Sequence, residues 1–322
     1  MPLITDSIFY GNRYLRGSHL DTITPALFRR QHIVYQRERI TLPDGDFIDL
    51  DRIRNSNDRV LVLLHGLEGC SDSQYIKGMA SYFSERGWDV CAVNFRSCSG
   101  EMNALLRSYH SGATEDLDHV FSYIADHDHY RLIVAGGFSL GGNMLLKYLG
   151  EQRYRLPSAL QAAFAFSVPC DLAASAIEMA RSSNAVYMQR FLKSLRKKMI
   201  AKAAAFPGMP DTSDITSVKT FHQFDNRFTA PIHGFNDAAD YYDQCSSLRY
   251  IKNISIPVLL VNAQNDPFLT PTCFPTDIAR NHDRFFFESP VYGGHVGFAE
   301  GLPNGKYWSE DRAFNFISSI CN

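Results

Sequence analysis

The stretch GGFSLGGN, Gly136 to Asn143, sets a serine between glycines two positions away on either side. Gly137-x-Ser139-x-Gly141 is short enough to arise by chance, so its weight depends on what surrounds it. Upstream, Arg131–Ala135 is a short apolar run of strand type. Downstream, Met144–Leu149 reads as a helix. A serine on the turn between a strand and a helix is the arrangement of a nucleophile elbow, in which only small residues fit two positions before and after it. The turn lifts the hydroxyl above the sheet. The next backbone N–H, from Leu140, then opens a helix, and both the free amide and the helix dipole favour an oxyanion. Glycine-rich strand-to-helix turns also cradle phosphates, but no Gly-x-Gly-x-x-Gly and no P-loop Lys-Ser pair accompanies this one.

The same alternation extends along the chain. His32–Arg37 and Phe47–Ile53 read as strands around the turn Leu42–Gly45, an antiparallel entry to a sheet. Buried strands are expected at Val60–Leu64, Val90–Phe95, Ala162–Ser167, Pro257–Asn262 and Arg284–Glu288. Helical spacing appears over Tyr75–Phe83, closed by Gly87, over Leu117–Ile124, near Thr276–Asn281 and from Ser309 to Ile320. Such alternation builds a mostly parallel sheet with helices on both faces. Between Cys170 and about Tyr250 no buried-strand pattern occurs, although strands resume afterwards. A helical cap inserted at about 170–250 into one domain spanning 1–322 is therefore expected.

Composition narrows the class of protein. The 322 residues are 45% hydrophobic with a formal net charge of -2, which allows a large core and gives no general attraction to nucleic acid. MPLITDSIFYGNRY lacks the basic start and apolar run of a signal peptide, and no apolar segment approaches the ~20 residues of a bilayer span. The seven cysteines are scattered without a Cys-x-x-Cys pair, as suits reduced thiols in a cytoplasmic protein. RFLKSLRKKMIAKAAA (Arg190–Ala205) carries six basic residues beside a narrow apolar face of Phe191, Leu195 and Met199. It reads as a solvated cap helix in preference to one touching an anionic membrane surface. Alternating side chains in DHDHY (Asp126–Tyr130) do not converge as metal ligands do, and neither metal nor organic cofactor is expected.

A serine attacks at neutral pH only with a base and a group that orients the base. Among eleven histidines, His295 in VYGGHVGF occupies a glycine-flanked loop after the last expected strand. His282 and His110 read as structural, His110 by ordering the loop after its strand. Asp266, in AQNDPFL, follows the preceding strand. Asp277 is the reserve, though TDIAR reads as a helix start with an N-terminal acid. Ser139, Asp266 and His295 then stand in the order of the α/β-hydrolase arrangement. The second oxyanion amide is expected from Leu67 in His65-Gly66-Leu67-Glu68-Gly69, where Gly66 permits a tight backbone path and His65 anchors the loop. Cys70 and Cys98 flank this edge, with nothing nearby to depress a thiol pKa.

Several longer motifs resemble one family. LLHGLEG (Leu63–Gly69), NFRSCSG (Asn94–Gly100), RSYHSGATEDL (Arg107–Leu117), GFSLGGNMLLKYLGE (Gly137–Glu151) and YGGHVGF (Tyr292–Phe298) are similar to the YheT-like branch of the α/β-hydrolases. SHLDTITPALFRR (Ser18–Arg30) and FDNRFTAPIHGFNDAADYY (Phe224–Tyr242) look like the same branch. One departure is Gly17-Ser18-His19-Leu20-Asp21, where the family usually has Asn-Pro-His-Leu-Gln. The resemblance implies an esterase-type hydrolase with a Ser-Asp-His triad on Ser139, Asp266 and His295. A serine at the elbow also argues against dehalogenase or epoxide hydrolase chemistry, which uses aspartate there. The expected substrate is a small-molecule ester. The aromatic residues of the cap (Tyr187, Phe191, Phe206, Phe221, Phe224 and Phe228) point to an apolar acyl group. Two alternatives use the same fold: acyl transfer from the same serine, and a binding protein without catalysis.

Overall fold

The computed structural model describes residues 2–12, 16–301, 304–305 and 307–321. In chain order its elements are β1 (Leu3–Ile4), α1 (Ser18–Phe28), β2 (Gln36–Thr41), β3 (Phe47–Ile53), β4 (Arg59–Leu64), α2 (Gln74–Ser84), β5 (Asp89–Asn94), α3 (Thr114–His127), β6 (Leu132–Phe138), α4 (Leu140–Gly150) and β7 (Leu160–Phe166). Next come α5 (Leu172–Met179), α6 (Ala185–Ala205), α7 (Phe221–Phe224), a π-helical turn (Asp225–Thr229), α8 (Ala230–His233) and α9 (Ala238–Cys245). The chain closes with β8 (Val258–Val261), α10 (Thr276–Arg280), β9 (Phe285–Glu288) and α11 (Trp308–Ile320).

The strands form one nine-stranded sheet in the order β1-β9-β8-β7-β6-β4-β5-β3-β2. Every neighbouring pair is parallel except β2–β3 and β3–β5. Successive side chains of a strand point to opposite faces, and β4 divides accordingly. Val60, Val62 and Leu64 enter a core shared with Leu117 and Val120 of α3 and Leu145 of α4. Leu61 and Leu63 enter the opposite core with Ile76, Met79 and Phe83 of α2 and Phe316 of α11. A strand covered on both faces has no polar side, which is why β4 through β8 read as continuous apolar runs.

The chain leaves β4 for β5 on one side, while β6 lies on the other. In parallel sheets the crevice beyond the carboxyl ends of strands at such a reversal receives ligands. The loops after β4, β6, β8 and β9 all open there. Between β7 and β8 the described elements are helical.

Three features depart from the sequence reading. The first long strand lies at Gln36–Thr41 instead of His32–Arg37. Ile33 and Tyr35 suggest a strand, yet they pack against the α2–α11 core from an irregular lead-in. The strand itself is polar because it is an edge: Arg37 and Arg39 sit opposite Asp51 and Asp49 and form bidentate pairs with them at 2.8–2.9 Å. Helix α1 and the two-residue β1 were not foreseen. Helix α6 buries Tyr187, Met188, Leu192, Leu195 and Met199, a broader face than expected, and turns two of its basic residues inward. Lys202 is fully buried, donating to the carbonyls of Leu105 (2.5 Å) and Arg107 (3.3 Å), and Lys198 pairs with Glu68 at 2.8 Å.

All seven cysteines are free thiols. Burial pushes Cys98 up to about 12. No helix among the described residues is long and apolar enough to cross a membrane.

Candidate active site

Ser139 links β6 to α4 with φ 52° and ψ -120°, a backbone region that side chains rarely occupy and that constrained sites retain. The flanking glycines are required by contact. A Cβ on Gly141 would lie 2.4 Å from the His65 carbonyl oxygen and 2.6 Å from that of Leu64, and one on Gly137 would lie 2.7 Å from the Gly142 Cα. These neighbours are backbone and cannot swing aside. Serine is a favoured helix N-cap, yet Ser139 makes no side-chain cap to α4. Its hydroxyl meets His295 Nε2 at 2.9 Å instead.

His295 lies in the loop after β9 and Asp266 in the loop after β8. The imidazole Nδ1–H donates to Asp266 Oδ2 at 2.9 Å, with Oδ1 at 3.1 Å, which leaves Nε2 to accept from the serine. The Asp266 side chain is fully buried and that of His295 is 10% exposed. Asp266 Oδ1 also accepts the Phe268 N–H at 2.9 Å, and the Phe268 ring packs on the imidazole with centroids 4.2 Å apart. The reserve candidate, Asp277, sits on α10 with its side chain 91% exposed and pairs with Arg280, away from this group.

The His295 loop is braced from α1, which sequence reasoning did not foresee. The His295 amide donates to Thr22 Oγ1 at 2.9 Å, and the Val296 amide to Ser167 Oγ at 2.8 Å. Asn265, beside the acid, accepts the Gly294 amide at 2.9 Å and donates to Asp21 Oδ2 at 2.7 Å. Thus Asn265 ties the loop after β8 to the loop after β9, and Asp21, the residue standing where the family usually has Gln, anchors Asn265 to α1. Burial raises the Asp21 carboxyl above its ordinary pKa.

The Leu67 loop is pinned from three sides. Tyr75 Oη accepts the Gly66 amide at 2.9 Å and Tyr109 Oη accepts the Glu68 amide at 2.8 Å. Beneath it His65 is fully buried, with Nδ1 donating to the Gly66 carbonyl at 2.7 Å and Nε2 accepting the Phe95 amide at 3.2 Å. Burial pushes His65 down to about 4. The backbone amides of Leu67 and Leu140 have no acceptor among the described residues. From α6, Ser194 and Lys198 both reach the Glu68 carboxylate.

Ser139 and His295 stand between two spaces. One is a mostly apolar cavity of about 150 Å³, roofed by α5, α6 and α7 and lined by Leu67, Leu140, Phe191, Phe221 and Phe224. The other is an open groove between α1 and α6, bordered by Thr22, Leu27, Tyr187 and Arg190. Of the six expected cap aromatics, Phe191, Phe221 and Phe224 line the cavity. Tyr187 lines the groove, Phe228 is sealed in the core beneath the helices, and Phe206 lies at the end of α6.

His110 accepts the Gly112 amide on Nδ1 at 3.2 Å, ordering its loop, and also lines the cavity. The DHDHY side chains diverge. Asp128 pairs with Arg52 and Arg54, His127 bonds the Tyr123 carbonyl, and Tyr130 reaches Asp89. Among the described residues no group of three or more His, Cys, Asp or Glu is placed to hold a metal ion.

The family model described as "alpha/beta hydrolase fold" matches residues 59–301. YheT of Escherichia coli (strain K12) is 36% identical over 97% of this chain and 93% of its own length. Phospholipase ABHD3 of Mus musculus is 30% identical over 99% of this chain and 80% of its own length. Among solved structures, an esterase of Pyrococcus furiosus superposes with a TM-score of 0.61 at 15% identity, covering 91% of this chain and 99% of the other. That likeness is one of fold. With the sheet order, the loops at its carboxyl edge and these matches together, the chain belongs to the α/β-hydrolase fold family, in its YheT-like branch.

Proposed function

We propose that this protein is a serine esterase that cleaves carboxylic esters through an acyl-enzyme on Ser139. The observation that carries the reading is the continuous hydrogen-bond chain from Ser139 Oγ through His295 to Asp266, set beside an apolar cavity. Relatives named phospholipase and monoacylglycerol lipase bear the names of ester-cleaving enzymes, which supports the same reaction class.

In this mechanism the Ser139 hydroxyl gives its proton to His295 Nε2 as Oγ attacks the ester carbonyl. The amides of Leu67 and Leu140 receive the oxyanion, and Asp266 orients the imidazole and stabilises its charged form. Collapse of the tetrahedral intermediate breaks the bond to the alcohol, which leaves with the proton from His295. Water, deprotonated by the same histidine, then releases the acid and regenerates the serine. The helical segment acts as a cap over the site. The acyl chain occupies the cavity beneath it, and the alcohol leaves by the α1–α6 groove.

The test is intact-mass analysis after treatment with a fluorophosphonate. One adduct on the wild-type protein, absent from Ser139→Ala, is expected. Folded wild-type protein that forms no adduct and turns over no activated ester would refute the assignment and favour a binding role.

A further inference from the structure

Part of the cavity wall is built by two segments that supply no member of the proposed triad. Phe224–Tyr242 contributes Asp225, Thr229, His233 and Tyr242, and Arg107–Leu117 contributes His110. Asp225 begins the π-helical turn, a wider turn that recurs at functional positions. Its carboxylate accepts from Thr229 Oγ1 at 2.6 Å and from Tyr242 Oη at 2.7 Å, so its partners are two neutral hydroxyls and no cation.

A carboxylate offers about four lone-pair sites, and these two donors occupy half of them. Asp225 keeps part of its surface open and lines the cavity. Burial raises its pKa to about 6, offset in part by the two hydroxyls and by His222. The two histidines that line the cavity with it do not supply a charge. His110 and His233 pack with centroids 4.5 Å apart and their rings tilted by 53°, and burial lowers the pKa of both, so they are neutral at pH 7. The cations that line the cavity, Arg96 and Lys198, are paired with Asp46, Asp116 and Glu68, and an acceptor-rich group left facing a mostly apolar space is costly when empty and favourable when it receives a donor.

We propose that Asp225 is a specificity-determining subsite that binds a hydrogen-bond-donating group, hydroxyl or ammonium, carried on the acyl chain remote from the scissile ester. The inference rests on the esterase reading and on the acyl chain occupying the cavity. Phe191, Phe221 and Phe224 contact the methylene chain and Asp225 reads a polar substituent on it. The preferred substrates are thus substituted acyl esters, and plain alkanoyl esters are turned over less well.

The test uses 4-nitrophenyl esters of straight-chain acids over a graded series of lengths, each paired with its ω-hydroxy and ω-amino counterpart. In the wild-type protein, kcat/KM for at least one substituted ester should exceed that of its plain partner by about 10-fold or more, the scale of a hydrogen bond to a charged group. In both Asp225→Asn and Asp225→Ala that ratio should fall to within about 2-fold of unity. Because the readout is a ratio within each protein, a general loss of activity in a variant cancels. The hydroxy and amino arms identify the donor. No preference in the wild type at any length, or a preference that survives both substitutions, overturns the proposal. So does a preference seen only when the substituent is moved to the alcohol portion. If the wild type hydrolyses none of the esters, it is the esterase reading that fails. Calorimetric binding of the free hydroxy, amino and plain acids to wild type and Asp225→Asn then decides the subsite by the same ratio.

Discussion

Acidification should destabilise the fold through His65. This side chain is fully buried, and both ring nitrogens are committed in the neutral form, one to the Gly66 carbonyl and one to the Phe95 amide. Its pKa falls from an ordinary 6.5 to about 4 in the native protein. Between those values the unfolded chain binds a proton that the folded chain refuses, so stability rises with pH across the window. The contribution is fully present above pH 6.5 and is lost as pH falls towards 4. A shift of that size corresponds to about 3 kcal/mol. The assay is urea unfolding of wild type and His65→Asn at a series of pH values from 7 to 4. The variant keeps an amide donor for Gly66 but cannot titrate. It should start less stable and lose about 3 kcal/mol less than wild type across the window. Buried carboxylates such as Asp46 and Asp51, whose pKa values are lowered, also weaken the fold in acid, but they do so in both proteins. Parallel curves for the two proteins would refute the assignment of the effect to His65.

Four substitutions probe the site and its supports. Asp266→Asn should lower kcat by about four orders of magnitude by favouring the wrong imidazole tautomer, read by ester turnover at saturating substrate. Thr22→Val removes the acceptor for the His295 amide and should lower kcat by about 10-fold with little change in melting temperature, while Thr22→Ser restores it. Gly141→Ala forces a methyl against the His65 and Leu64 carbonyls and should cost at least about 2 kcal/mol in urea unfolding. Arg96→Leu strips the buried Asp46 and Asp116 of their cation and should cost about 3–5 kcal/mol, measured the same way.

How much of this could be read from the chain depended on whether a feature is local. The strands β4 to β9 announce themselves because burial on both faces leaves mostly apolar residues, with polar ones largely at their ends. The loops carrying Ser139, Asp266 and His295 announce themselves because each follows such a strand. Edge strand β2 was misplaced because its pairing partners are charges on β3, and cross-strand ion pairs leave no periodic apolar trace in QRERIT. The bracing by α1 was invisible for a related reason. Thr22 and His295 are 273 residues apart, and nothing in SHLDTITPALF names its partner. The inward turn of Lys198 and Lys202 likewise depends on acceptors far away in sequence, Glu68 and the Leu105–Arg107 carbonyls. A run of basic residues reads as a wet surface until those acceptors are known.

The attachment of α6 to the loop after β4 couples access to reactivity. Ser194 and Lys198 hold the carboxylate of Glu68, the residue next to the Leu67 amide. A displacement of α6 large enough to admit a long chain through the roof would pull on that loop and shift the amide. On the proposed mechanism, loading through the roof and turning over would then be alternate states of one cycle. The α1–α6 groove offers no way round this contact, since Leu67, Glu68 and Ser194 line it as well, so entry by either route would bear on the same loop.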